Sequence, residues 1–247
     1  MSALSIVALL ATVLVTTTIS GVFGMAGGVI FMGVLAALLP VSAAMITHGV
    51  IQIAANGSRA VAHRRHIAWA LLGFYAAGAV AAFAILAVIA FHPSLAFVNL
   101  GLAFVSFLVW LPAKRFALNA EKPAHAAFCG LSVTGLNIAA GVAGPLLDVF
   151  FVNTTLTRHQ TVATKAVTQV MSHLAKVAFY GAPFVLAAQD GLPPLWLFAL
   201  AIPLSFLGTA LGAQILDRIS DKSFLAWTKW LITAMGVFYL WRGVSLL

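Results

Sequence analysis

Apolar residues run along the chain in ten segments, which are separated by glycines, prolines and short charged stretches. The segments cover residues 3–22, 26–39, 42–62, 68–91, 94–112, 124–140, 144–155, 159–181, 194–216 and 224–245. Most have a length of about 20 residues, which an α-helix needs to cross the roughly 30 Å hydrocarbon core of a bilayer. The pattern therefore predicts an all-α polytopic membrane protein.

The second and seventh segments are too short to cross a bilayer, because an α-helix rises only about 1.5 Å per residue. Each follows a glycine-rich break, Gly24–Gly28 (GMAGG) in the first case and Gly141–Pro145 (GVAGP) in the second. Unwound backbone at membrane depth is tolerated where it is buried in protein or lines a wet cavity. We therefore expect two half-helices that begin near the middle of the membrane.

The chain contains an internal repeat with an offset of 117 residues, which aligns the two breaks without a gap. The same offset places His48, Gln52, Asn56 and Arg59 on Lys165, Gln169, His173 and Lys176. Spacings of four, four and three put each set on one face of a helix. Five segments, an odd number, precede the central charged loop, so the second copy begins on the opposite side of the membrane. This predicts two inverted repeats, residues 1–112 and 124–247, joined by a cytoplasmic linker at 113–123.

The composition excludes a soluble fold, because 63% of the residues are hydrophobic and only 7% are charged, compared with about 25% charged in ordinary domains. The net charge of +8 does not indicate nucleic-acid binding, since the basic residues lie in short loops or at single helix positions. Cys129 is the single cysteine, so neither a disulfide framework nor a thiolate metal site is expected. We predict no cofactor and no metal.

The positions of lysine and arginine predict the orientation. The loops 63–66, 113–122 and 217–222 are basic, whereas 91–94 and 181–193 contain neither lysine nor arginine. The basic loops are expected on the cytoplasmic side of the inner membrane, with both termini outside. The N-terminus lacks the basic region of a secretory signal, so we expect the first segment to remain in the mature protein.

Half-helices that point their N-terminal amides into a shared cavity make a site for an anion. The candidate substrate-binding residues are Gly24, Gly27, Gly28, His48, Gln52, Gly141, Gly144, Lys165, Gln169 and His173. Each has a structural alternative: glycines permit close helix packing, and polar side chains bond between helices. Arg59 can instead snorkel to the interface.

Asp148 is the one acidic residue outside the loops and helix ends. It is a candidate for proton coupling, or it forms a salt bridge with Lys165, which would then not contact substrate. A single carboxylate makes no catalytic dyad, and Gly-x-Ser-x-Gly and His-Glu-x-x-His motifs are absent from the sequence. The chain is therefore not expected to be an enzyme.

These features resemble the TauE/SafE family of membrane permeases, the sulfite exporters grouped with toluene sulfonate uptake permeases. The resemblance rests on the break at 24–28, on Thr47, on the loop from His63 to Trp69 and on the second break at 141–144, and it covers about residues 5–243. The family usually has three consecutive glycines where this chain has Ala26-Gly27-Gly28 and Ala143-Gly144-Pro145.

The resemblance implies export of small sulfur-containing oxyanions, such as sulfite or organosulfonates, and alternating access of a site between the repeats is the expected mechanism. An anion channel of the same topology is the alternative. The expected partners are a small anion and the lipid bilayer. Whether the chain also forms a homo-oligomer is left open by the sequence.

Overall fold

The computed structural model describes residues 3–23, 26–186, 191–216 and 221–247. Those residues form ten α-helices, five on each side of the central linker. The helices are α1 (Ala3–Phe23), α2 (Ala26–Leu38), α3 (Val41–Ala62), α4 (Trp69–Val88), α5 (Leu95–Phe107), α6 (Pro123–Ala140), α7 (Gly144–Phe151), α8 (Arg158–Leu186), α9 (Leu195–Leu216) and α10 (Asp221–Val244). The predicted all-α polytopic membrane fold is confirmed.

Within the described part of the chain, three helices are long and apolar enough to cross a membrane by themselves, over Ser5–Val22, Trp69–Val88 and Leu195–Ile215. The two predicted short helices, α2 and α7, have 13 and 8 residues. The helix α2 is shielded on most sides, because Val29, Met32 and Leu35 are fully buried. Protein rather than lipid therefore surrounds much of this short helix, as membrane depth requires of irregular backbone.

The helix ends follow local signals that hydropathy alone does not show. The helix α4 ends at Val88, three residues before the apolar segment does, because Ala90 adopts a left-handed conformation with φ 49°. Ser94 then caps α5, since its hydroxyl accepts a hydrogen bond from the amide of Phe97 at 3.1 Å. At the other extreme, α8 continues through Pro183 to Leu186, beyond the predicted end at residue 181.

The two halves of the chain are interleaved. The most extensive helix pairs are α1 with α9, α4 with α6, α3 with α8 and α5 with α10. The first helix of each half thus packs on the fourth helix of the other half, and the third and fifth helices pack on their counterparts. This is the pairing that two related halves make about a shared axis. The inverted orientation of the repeats and their bounds stay a prediction.

Glycine brings α4 and α6 into backbone contact. A Cβ atom added to Gly78 would lie 1.9 Å from the carbonyl oxygen of Ala127, and one added to Gly130 would lie 2.0 Å from that of Tyr75. Small residues permit such close packing in membrane proteins. By contrast, a Cβ atom at Gly73, in the same helix α4, would meet no atom within 4 Å.

We therefore expect Gly78→Ala to destabilise the protein strongly and Gly73→Ala to leave it unchanged or slightly more stable. The added methyl group must push α4 away from α6 at position 78, whereas at position 73 it removes only the helix penalty of glycine, about 1 kcal/mol. Thermal unfolding of both variants in the same detergent checks this. Equal melting temperatures for the two would contradict the close packing.

The central linker is held against the loop that follows α7. The Glu121 carboxylate accepts hydrogen bonds from the amide of Thr155 at 2.7 Å and from its hydroxyl at 2.8 Å. The amide of Ala120 also donates to the carbonyl of Phe150 at 2.9 Å. The backbone amide of Thr155 is the main reason that the pKa of Glu121 lies below its usual value.

We expect Glu121→Gln to lower the melting temperature by a few degrees at pH 7. A carboxyl group with a lowered pKa stabilises the fold when ionised. This contribution is complete above the ordinary glutamate pKa of about 4.3 and is lost as the pH falls through the lower pKa of the folded protein. Melting curves of parent and variant at about pH 7 and about pH 3 test this. A difference that grows on acidification would contradict it.

Candidate functional site

Both glycine-rich breaks open onto one cavity. Gly28, in the first turn of α2, and residues 142–144, at the start of α7, both line it. Helices α1, α3, α6 and α8 complete the wall. The polar lining residues are Ser20, Gln52, Asn56, Arg59, Asn137, Gln169, Ser172 and His173. No acidic side chain is found among the described residues that line the cavity.

The backbone at the two breaks explains their glycines. Gly141 ends α6 in the left-handed conformation, with φ 88°, which side chains other than glycine rarely adopt. A Cβ atom at Gly28 would lie 2.5 Å from Nε2 of Gln52. The missing side chain at position 28 thus leaves room for the Gln52 amide at the cavity wall.

The cavity is small. The space open to the centre of a water molecule is about 30 Å³, and since one water needs roughly 10 to 15 Å³ by this measure, it holds two or three waters. An anion bound in that space would have to give up its hydration shell. Protein donors must then replace the lost water.

Donors dominate the wall. Arg59 donates to the amide oxygen of Asn56 at 3.2 Å and carries a positive charge into the cavity. Across from it, Nδ2 of Asn137 lies 2.7 Å from the hydroxyl of Ser172 and 3.2 Å from Nδ1 of His173. The amide oxygen of Asn137 is buried without a hydrogen-bond partner. The wall is therefore suited to a ligand with several acceptor oxygens and one protonatable group, whose hydrogen can be donated to the Asn137 oxygen.

A second polar cluster lies behind the cavity wall. Nδ1 of His48 and Nζ of Lys176 are 2.9 Å apart, and Nζ also donates to the carbonyl oxygen of Gly141 at 2.8 Å. Nε2 of His48 lies 3.1 Å from the carbonyl oxygen of Gly28. Both side chains are completely buried, and the His48 ring lies 5.4 Å from that of His173 at the cavity.

Beyond Arg59, α3 ends at a group of basic side chains. His63 stacks on His159 at 6.1 Å, and Arg64 and Arg65 are exposed beside them. Burial, followed by the nearby His159, His66 and Arg59, lowers the pKa of His63, which favours its neutral form. The two arginines keep this end of α3 positive, which attracts anions.

The structure separates the predicted site residues into groups. Gly28, Gln52, Gly144, Gln169 and His173 line the cavity, whereas His48 and Gly141 belong to the cluster behind it.

Two other candidates, Gly27 and Lys165, lie elsewhere. A Cβ atom at Gly27 would meet the carbonyl oxygen of Thr16 at 1.8 Å, so this glycine lets α2 pack on α1. Gly24 lies outside the described residues. Lys165 is not among the cavity-lining residues and pairs with Asp148, which is the alternative that the sequence left open. Contact with substrate stays a prediction for the whole set.

Ser20, Asn137 and Ser172 were not predicted as site residues. The repeat offset relates two of them, since 137 − 20 = 117, and it also relates Gln52 to Gln169. Polar residues at equivalent positions of both halves would have identified this pair. Ser172 follows Gln169 by one helical turn and shares its face.

The ion pair of Lys165 with Asp148 can be tested by a double-mutant cycle. The Lys165 side chain is 20% exposed and that of Asp148 is 48% exposed. We expect Asp148→Asn and Lys165→Met each to destabilise the protein and the double variant to recover part of the loss, with a coupling of about 1 kcal/mol, as for a partly exposed ion pair. Unfolding in detergent measures the cycle. Strictly additive losses would show that the pair contributes nothing.

The chain is similar in sequence to one known protein family. The family model described as sulfite exporter TauE/SafE matches residues 9–239, and thus includes all ten helices at least in part. No curated protein and no solved structure matches the chain. Members of this family are membrane transporters rather than enzymes, in agreement with the apolar helices and the donor-lined cavity. The chain belongs to the sulfite exporter TauE/SafE family.

Proposed function

We propose that this protein is a secondary transporter that exports a small sulfur-containing oxyanion, such as sulfite, across the cytoplasmic membrane by alternating access. One observation carries the proposal: the two glycine breaks line a single cavity that contains the cation Arg59 and no carboxylate among its described lining residues. The family match supplies the class of substrate.

The lining side chains can replace the water around an oxyanion. Arg59 supplies a charge-assisted hydrogen bond, and the amides of Gln52 and Gln169 supply neutral ones. The first amides of α7 have no acceptor within their own helix and are free to donate to an anion in the cavity, although Pro145 lacks an N–H. The volume of the cavity favours an anion of sulfite size over an aromatic sulfonate, which needs a wider site.

Alternating access is supported by the way the two halves share the site. Ser20, Gln52 and Gly28 come from the first half, and Asn137, Gln169 and Gly144 come from the second. A rocking motion of one half against the other changes both walls together, as in transporters built from repeats. The ion pair of Lys165 with Asp148 fixes α8 to α7, so these two elements are expected to move together.

The test is transport into liposomes that contain the purified protein. We expect saturable uptake of labelled sulfite that is stimulated by unlabelled sulfite on the opposite side, with weaker responses to sulfate, thiosulfate and taurine. Gln169→Ala and Gly28→Ala should reduce this exchange about tenfold, because the first loses a donor to a charged ligand and the second displaces Gln52.

Gly57→Ala is the matched control for Gly28→Ala, since a Cβ atom at Gly57 meets nothing within 4 Å. It should transport like the parent. Parental transport by both Gln169→Ala and Gly28→Ala would show that the cavity is not the substrate site. Unitary currents in planar bilayers would instead establish the channel alternative.

A further inference from the structure

A single chain of hydrogen bonds connects the two halves behind the cavity. It runs from the carbonyl of Gly28 to Nε2 of His48, from Nδ1 of His48 to Nζ of Lys176, and from Nζ to the carbonyl of Gly141. We call these four groups the relay. His48 and Gly28 belong to the first half, whereas Lys176 and Gly141 belong to the second. The relay therefore joins the half-helix α2 directly to the break that precedes α7.

Among the described residues, no carboxylate pairs with the ionisable groups of the relay. Neither Lys176 nor His48 has any exposed surface. His48 of α3 and Lys176 of α8 face each other, and His173 of α8 lies beside the His48 ring. The Phe31 ring of α2, 5.5 Å from His48, and the carbonyls of Gly28 and Gly141 complete the surroundings. Asn137 of α6 contacts His173. The described carboxylates, Asp148 and Glu121, are engaged by Lys165 and Thr155.

The donors and acceptors of the relay determine how many protons it can hold. Because Nε2 of His48 faces a carbonyl, it carries hydrogen, and Nδ1 accepts from Lys176 when the imidazole is neutral. An amine or an ammonium at Lys176 can each donate to both Nδ1 and Gly141. If the excess proton sits on His48, Nδ1 donates and a neutral Lys176 accepts, and the relay stays intact.

A second excess proton breaks this arrangement. His48 would then donate from both ring nitrogens, and Lys176 would have three N–H bonds and no lone pair, so the two groups face each other as donors and as like charges. In a buried site without a carboxylate this repulsion is not screened. The His48 to Lys176 hydrogen bond is lost, and α2 is no longer tied to the second break.

We infer that the relay is a proton-binding site that couples proton movement to anion transport: it ties the two glycine breaks while it holds one excess proton or none, and it releases them when it takes up a second. The inference rests on the proposed function and names its coupling ion. In the uptake step water supplies the proton, one N–H bond forms at Nδ1 of His48, and the hydrogen bond to Lys176 breaks. The proton returns to water on the other side of the membrane.

The variant His48→Gln separates the bonds of the relay from its protonation. A glutamine amide can accept from Lys176 and donate to Gly28, but it takes up no proton near neutral pH. Lys176→Met removes the cation and leaves His48 and Gly141 without their shared donor. Lys229→Met is the matched control, since Lys229 lies over the Trp110 ring, 5.1 Å from its centre, on α10.

The experiment uses the full chain in liposomes, with labelled thiosulfate and labelled sulfite as probes. Thiosulfate carries no proton near neutral pH, so any coupling must come from the protein. Exchange at equal pH on both sides tests transport alone, and accumulation driven by a pH difference tests coupling. We expect His48→Gln to reduce pH-driven accumulation about tenfold more than it reduces exchange at equal pH. Lys229→Met should retain both.

The outcomes separate the two proposals. Exchange by the parent without any pH-driven accumulation overturns the coupling and leaves the transporter intact, and so does parental accumulation by His48→Gln. If the parent exchanges neither anion, the proposed function fails. The coupling of His48 to Lys176 in the relay is then tested by nuclear magnetic resonance of ¹⁵N-labelled histidine. In that measurement Lys176→Met should move the His48 resonance and alter its titration. An unchanged signal overturns the relay.

Discussion

Lys176 is completely buried within a membrane protein, and its nitrogen must be held by acceptors from other parts of the chain. An ionisable group in hydrocarbon costs several kcal/mol unless it faces a polar interior. Two acceptors meet this requirement, the His48 ring from α3 and the carbonyl of Gly141. That carbonyl is accessible because Gly141 ends α6 in a left-handed turn. The position of the second break, the packing of α3 on α8 and the rear wall of the cavity thus depend on one nitrogen atom.

Much of the architecture could be predicted because it follows from length and hydropathy. A segment of about 20 apolar residues has few options in a bilayer, and a short one that follows glycines must be sheltered by protein. The polar faces of α3 and α8, which contain Gln52 and Gln169, were equally predictable, because helical spacing fixes which side chains of a helix lie together. The length of α7 was less predictable. The helix has 8 residues rather than the predicted 12, because the Asn119 side chain donates a hydrogen bond to the carbonyl of Asn153 and ties the chain after α7 to the linker.

The partners of the two lysines of α8 could not be predicted in the same way. Lys165 and Lys176 lie on one helical face, but which of them meets a carboxylate depends on the position and rotation of α7. Ser20 illustrates a different difficulty, since hydroxyls in apolar helices usually bond to their own backbone, as Thr16 does to the carbonyl of Thr12 at 2.7 Å. Without a tertiary structure, a cavity-lining hydroxyl and an internally bonded one look the same.

The interleaving of the halves has a consequence for how the protein is made. The helix α1 packs chiefly on α9, whose first residue, Leu195, is synthesised long after Phe23 ends α1. During that interval the face of α1 that contains Gly21 and Thr17, which will contact Gly212 and Gly208, has no partner from its own chain. Hydrophobicity suffices to insert α1 into the membrane, but its final place depends on a helix that emerges near the end of translation. The packing of α1 on α9 therefore forms only after α9 has been synthesised, and lipid or the insertion machinery must cover the small-residue face of α1 until then.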